Sequence, residues 1–219
     1  MLFRSLTCNL ERVVKPNVAF LWECGLGDCD IAKLGMAVPR MLSTGVKHLQ
    51  AVVARAEGLG VPRGSRMFRF ALNAVAFLGE EQIATKVNYL KNTFLWSDAE
   101  VAIAVCKLPK VLNCSQDNLQ RRSEFLISEV GLEPPYIARR PAMLSYSLDA
   151  RLRPRYYVVK FLKANGLLDH DRDYFTAVTK IEKVFVEKYI CPHKEAAPHL
   201  AEDYAAACRG QVPTRFIFS

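Results

Sequence analysis

The sequence predicts an all-α protein, a superhelical solenoid of stacked helix pairs. Three observations predict it. A short proline motif recurs as "VPRMLS" at 38–43, "LPKVLN" at 108–113 and "RPAMLS" at 140–145. Placing a degraded copy on Ala71 gives spacings of 32, 38 and 32 residues, and a period in that range is the mark of repeats that bury their apolar faces only by stacking. Finally, helix start and stop signals bracket each copy, while the one β-rich stretch, "RYYVVKFL", lies between helix signals and has no hairpin partner.

The elements follow in chain order. "LERVVKP" at 10–16 echoes "LDARLRP" at 148–154, so Pro16 and Pro154 are both expected just inside a helix start after a looser turn, with Gly25 and Gly166 as the stops. Because Leu10–Pro16 already lies inside a repeat, the chain is expected to begin partway along an array. In the next repeat Asp28 or Asp30 caps a first helix, Pro39 leads the turn, and a second helix runs to Gly58 or Gly60. The degraded repeat follows, with Ala71 in the place of the proline and Leu78 ending the short segment. The clearest repeat is Ser97–Gly131: Ser97 and Glu100 form a capping box, Pro109 ends the first helix, Ser115 starts the second, and Gly131 closes it. Pro134 and Pro135 open another short helix before Pro141. Thr179 and Glu182 are expected as a second capping box, and Pro198 as the start of a last helix. The whole chain, 1–219, is then expected as one domain: repeats near 1–25, 26–60, 61–95, 96–131 and 132–167, and a terminal cap over 168–219. Leu42, Leu112 and Leu144, three residues after each proline, are expected to be buried where repeats meet.

The proline series, together with "SEFLISEVGL", "LSYSLDARLRPRYYVVKFLKANGLL" and "VFVEKYI", resembles the mitochondrial transcription termination factor (mTERF) family, land-plant type. The resemblance covers nearly the whole chain. It departs at Ala71, and relatives generally carry a targeting peptide and further repeats upstream. It implies a basic groove that holds nucleic acid, action in mitochondria or chloroplasts, and a role in transcription termination or initiation or in transcript processing, without enzymatic activity and without a cofactor. Duplex DNA is the favoured partner, with RNA as the alternative, and the chain is expected to act as a monomer.

The residues supply their own candidates. A net charge of +8 favours polyanionic partners. Between residues 139 and 163 stand Arg139, Arg140, Arg151, Arg153, Arg155, Lys160 and Lys163 against the single acid Asp149, with Tyr146, Tyr156 and Tyr157 interleaved. Guanidinium forks pair with phosphate and aromatic faces stack on bases. Smaller clusters are Arg121 with Arg122, and Arg63, Arg66 and Arg69 around Phe68 and Phe70. The competing reading of each base is a solvated helix face, and for the chain as a whole it is a protein-binding scaffold with an acidic partner.

Other chemistry finds less support. Seven cysteines, an odd number without a CxxC pair, argue for reduced, partly buried thiols and against a disulfide framework. "CPHKEAAPH" reads as a turn, its irregular spacing being a poor match to a zinc site. "DHDRD" at 169–173 reads as a solvated loop, and no phosphate loop, nucleophile elbow or HExxH occurs. No apolar run is long enough to span a bilayer.

Overall fold

A computed structural model describes residues 10–216. Among these residues there are thirteen α-helices, several 3-10 and π turns, and no strand. The α-helices are α1 (Lys15–Glu23), α2 (Asp28–Ala37), α3 (Pro39–Ser43), α4 (Val46–Gly58), α5 (Phe68–Val75), α6 (Glu80–Phe94), α7 (Asp98–Lys107), α8 (Gln116–Ser123), α9 (Pro134–Arg139), α10 (Arg153–Ala164), α11 (Tyr174–Thr179), α12 (Glu182–Tyr189) and α13 (Leu200–Cys208). The chain divides into two compact units, Met1–Gln116 and Asp117–Ser219. No helix is long and apolar enough to cross a membrane among the described residues.

The N-terminal unit shows how the motif works. Pro39 and Pro109 each follow one residue after a first helix and open a single tight turn, α3 and the 3-10 turn Pro109–Asn113. The residue before each proline is pushed out of the α region, to φ −137° at Val38 and −145° at Leu108, as the proline ring requires. The Pro109–Asn113 turn packs against α5, and Val111 and Leu112 are sealed there at 0% and 1% exposure. In the first copy the seal shifts by one residue: Met41 is buried, whereas Leu42 is only half-buried. Asn17 on α1, itself fully buried, pins this turn by donating its side-chain amide to the carbonyls of Leu42 at 3.0 Å and Thr44 at 2.7 Å.

Ser97 caps α7 as expected, its Oγ accepting from the Glu100 amide while Glu100 accepts from the Ser97 amide at 2.8 Å. Three expected details are corrected. The N-cap of α2 is Gly27, with Asp28 and Asp30 inside the first turn, where their charges complement the helix dipole. Ala71 lies in the middle of α5, fully buried, and the helix runs on to Val75, because no proline interrupts it. This repeat lacks its glycine stop as well: Leu95 takes the left-handed conformation after α6, with φ +56°. Thr179 does not cap α12. It closes α11 by donating to the carbonyl of Phe175, and Ile181 holds the N-cap position.

Gly25 stops α1 with φ +82°, and a β-carbon there would lie 2.9 Å from the Cα of Gly64, closer than backbone tolerates. Gly64 has φ +69°, but a β-carbon there would stand in open space. Gly64→Ala should therefore cost only the conformational term, about 1–2 kcal/mol, and Gly25→Ala should cost clearly more, because two backbone segments must separate. Urea denaturation of both variants checks the order, and equal midpoints would show that the Gly25–Gly64 approach relaxes freely.

In the C-terminal unit, Leu148–Leu152 forms a π turn that leads into α10 with Pro154 in its first turn. In the N-terminal unit, Leu10–Val14 does the same before α1 and Pro16. The wider turn moves away the carbonyl four residues back, which a proline ring would otherwise strike. "RYYVVKFL" is helical, its β-branched residues facing a core in which Val158 and Leu162 are fully buried. Pro141–Ser145 packs against α11 with Met143 and Leu144 at 0% exposure. Gly131 and Gly166 stop their helices in the left-handed region. The six described cysteines are all free, and burial pushes the thiols of Cys24, Cys106 and Cys208 up; Cys8 lies outside the described residues.

Candidate nucleic-acid interface

The Arg139–Lys163 segment spans the end of α9, the turns after it and nearly all of α10. Its bases divide into two sets. The first is built into the fold. α11 is only six residues long, so its last carbonyls have no partner within the helix. Arg155, 1% exposed, supplies one: its Nη1 donates to the carbonyls of Ala177, Val178 and Lys180, and its Nη2 to Glu182 at 2.7 Å. The guanidinium lies over the Phe185 ring, 4.5 Å from its centroid. Arg151 adds donors to the carbonyls of Val178 and Lys180 and stacks on Tyr146 at 4.1 Å. Tyr204 donates to the same Glu182 carboxylate at 3.1 Å, and burial pushes its phenol well up, so it stays a donor. Arg153 bonds Asp149 at 2.9 Å and reaches Glu129 at 3.5 Å. Lys163 donates to the carbonyls of His170 and Arg172, holding the 169–173 loop that reads as solvated in sequence.

The second set stays nearer the surface. Arg139 is exposed. Arg140 is half-buried over the Tyr136 ring at 4.2 Å and stands 4.0 Å from Asp173. Tyr136 donates to that carboxylate, and burial with this bond drives its phenol well above the ordinary value. Lys160 lies 5.7 Å from the Tyr156 ring centroid. Tyr156 itself donates to the Glu129 carbonyl at 2.6 Å, which commits its edge to the fold. Arg121 pairs with Asp149 at 2.9 Å, and the Nε of half-buried Arg122 is enclosed without an acceptor. Arg155 is thus a correction to the sequence reading: a guanidinium shut inside the core offers nothing to a phosphate. Arg151 and Arg153 are largely committed in the same way.

In the N-terminal unit the cluster of Arg63, Arg66 and Arg69 is the end of a longer basic stretch, whose other members the sequence reading did not single out. From Ile31 to Gly79 there are seven bases, Lys33, Arg40, Lys47, Arg55, Arg63, Arg66 and Arg69, against the single acid Glu57. Glu57 is held by Arg63 at 2.7 Å, which lowers its carboxyl below the ordinary value. Arg69 bonds Asp30 at 3.0 Å and lies over Phe70. The other five cations have no acid in ion-pair reach among the described residues. Lys33, Arg40, Lys47 and Arg66 are exposed. Arg40 and Arg55 share a cleft of about 600 Å³ with His48, Ser43, Thr44 and Phe77. A count of bases against acids in a wider window would have found this stretch, which the eye misses because its bases are spaced out.

The mTERF family profile matches residues 3–185. Among curated proteins of Arabidopsis thaliana, the chain is 26% identical over 152 residues to transcription termination factor MTERF8, chloroplastic, covering 69% of this chain and 30% of that protein. It is 26% identical over 169 residues to transcription termination factor MTEF18, mitochondrial, covering 68% and 30%. It is 29% identical over 192 residues to transcription termination factor MTERF15, mitochondrial, covering 87% and 42%. The chain therefore spans less than half the length of each of these relatives.

Proposed function

The chain belongs to the mTERF family, and on that premise we propose that it is a nucleic-acid-binding regulator of organellar transcription or transcript processing, acting in a mitochondrion or chloroplast and binding mainly through phosphates. It is a binding protein and not an enzyme. One observation carries the reading of the surface: five uncompensated cations within residues 31–79, four of them exposed. Arg139, Arg140 and Lys160 are the further contacts expected from the C-terminal unit. Duplex DNA is the favoured partner, because it presents a phosphate about every 1.7 Å of axis and so rewards spaced cations most.

Each phosphate neutralised releases counterions, so log affinity should fall with log salt by about 0.9 per contact on duplex DNA. We expect the combined substitution Lys33→Ala, Lys47→Ala, Arg66→Ala to flatten that slope by roughly 2–3 and to weaken binding across unrelated sequences. A salt series on duplex DNA and single-stranded RNA, wild type beside the triple variant, measures both. If the folded triple variant keeps the wild-type affinity and slope on both ligands, these cations are not the interface. The scaffold reading would then lead, supported by the apolar groove between α4 and α6 lined by Ala51, Ala54, Ile83, Ala84 and Val87.

A further inference from the structure

The cleft of the N-terminal unit is more specific than a basic surface. On α4, His48, Val52 and Arg55 stand at spacings of four and three, one face of a helix, and all three line it. Ser43, Thr44 and Arg40 come from the turn that Pro39 opens, and Asn17 holds two carbonyls of that turn in place. The opposite wall is Ala76–Gly79, the segment after α5. In the regular copies the turn that follows the first helix seals its apolar residues, Val111 with Leu112 and Met143 with Leu144, in the core. Here the missing proline leaves only a short bonded turn, Leu78 amide to Val75 carbonyl, and Phe77 stands 68% exposed at the rim.

The cleft contains no carboxylate. Arg40, His48 and Arg55 make no hydrogen bond, ion pair or ring contact through their side chains among the described residues. The Nε of Arg55 is enclosed without an acceptor. A buried donor left unpaired is costly, and a site that collects two guanidinium groups and no counter-charge stabilises a compact dianion. An exposed aromatic face beside it suits a base, since stacking is open to every base.

We infer that this cleft binds a phosphorylated nucleoside, with the phosphomonoester on Arg40, His48 and Arg55 and the base against Phe77. The same chemistry has two sources, a free nucleoside monophosphate and the 5′-phosphorylated end of a strand. The inference shares Arg40 and Arg55 with the phosphate-backbone reading above, but its variants leave Lys33, Lys47 and Arg66 in place, so the two readings fail separately.

The experiment is calorimetric titration of the full chain with adenosine monophosphate, adenosine, inorganic phosphate, and one short oligonucleotide with a 5′-phosphate or a 5′-hydroxyl. Removing the phosphate, from the mononucleotide or from the strand end, should weaken binding at least tenfold. Phe77→Ala should weaken it about five- to a hundredfold, the range for loss of one stacked base. Its exposure means that this change should leave the fold intact, and thermal melting checks that it does. Arg55→Gln should weaken the phosphorylated ligands and leave adenosine unchanged. Tight binding of the free mononucleotide identifies that source, and binding of the phosphorylated strand alone identifies the strand end. The inference is overturned if neither phosphorylated ligand binds better than its unphosphorylated counterpart. It is equally overturned if Phe77→Ala binds as wild type, or if inorganic phosphate binds as tightly as the nucleotide.

Discussion

Arg155→Ala should destabilise the protein by about 2–5 kcal/mol, the range for truncating a large, fully buried side chain that leaves a cavity. Against the roughly 5–15 kcal/mol that hold a typical domain together, that is a large fraction. The loss has three parts. The carbonyls of Ala177, Val178 and Lys180 lose a buried donor, the guanidinium leaves a hole over Phe185, and α11 loses the group that finishes its C-terminus. Glu182 adds little, because its side chain is 62% exposed and water replaces the lost partner. Arg153→Ala is the control: its partners Asp149 and Glu129 are about half exposed, and a pair of that kind contributes about 0–1 kcal/mol. Urea denaturation of the two variants reads the contrast. An Arg155→Ala midpoint within experimental error of wild type would remove the residue from the core. A nucleic-acid assay on Arg155→Ala alone would mistake unfolding for a lost phosphate contact.

Leu112→Ala and Leu144→Ala should each cost about 2–5 kcal/mol, since both are essentially unexposed and leave a cavity where a turn closes onto a helix. Leu42→Ala should cost clearly less, because that side chain is half-buried and Met41 takes the sealed place. The three variants in one denaturant series test whether the proline motif is a structural joint. Equal losses at all three positions would mean that burial does not govern the motif, and a negligible loss at Leu112 would show the turn to be peripheral.

The fold was legible because its signals are local. A proline acts on its own residue and the one before, a Ser–Glu box acts within one turn, and a glycine with positive φ acts where it stands; Pro39, Pro109, Pro141, Ser97 and Gly131 all work in that way. Reading failed where a signal was missing or ambiguous. With neither the motif proline nor a closing glycine in the third repeat, the sequence places the end of the short segment at Leu78, three residues past the end of α5, and puts Ala71 at a turn it does not make. Thr179 fits a cap and a helix end equally well by spacing, and only the position of α11 decides between them.

The site was less legible, for a physical reason. Charge density in sequence counts bases without saying what each base faces. Arg151, Arg153 and Arg155 look like a phosphate ladder, yet their partners are carbonyls and acids 20 to 30 residues away, invisible to any local window, apart from Asp149. Lys33 and Lys47 look like scattered surface bases and Arg66 like one member of a small cluster, and only the fold shows that none of the three has an acid in ion-pair reach among the described residues.

The third repeat, with its lost proline and its Leu95 in a glycine's conformation, bears on alignment. A row of identical modules laid along a polymer of identical phosphates has a sliding degeneracy: displacement by one step exchanges each contact for an equivalent one. Nothing in such a pair defines an origin. A module that breaks the series, with Phe77 exposed where the regular copies seal their aliphatic residues, removes that equivalence. If the chain binds a strand as proposed, this module would act as a zero mark on a ruler, giving that strand one energetically distinct position instead of a ladder of equal ones.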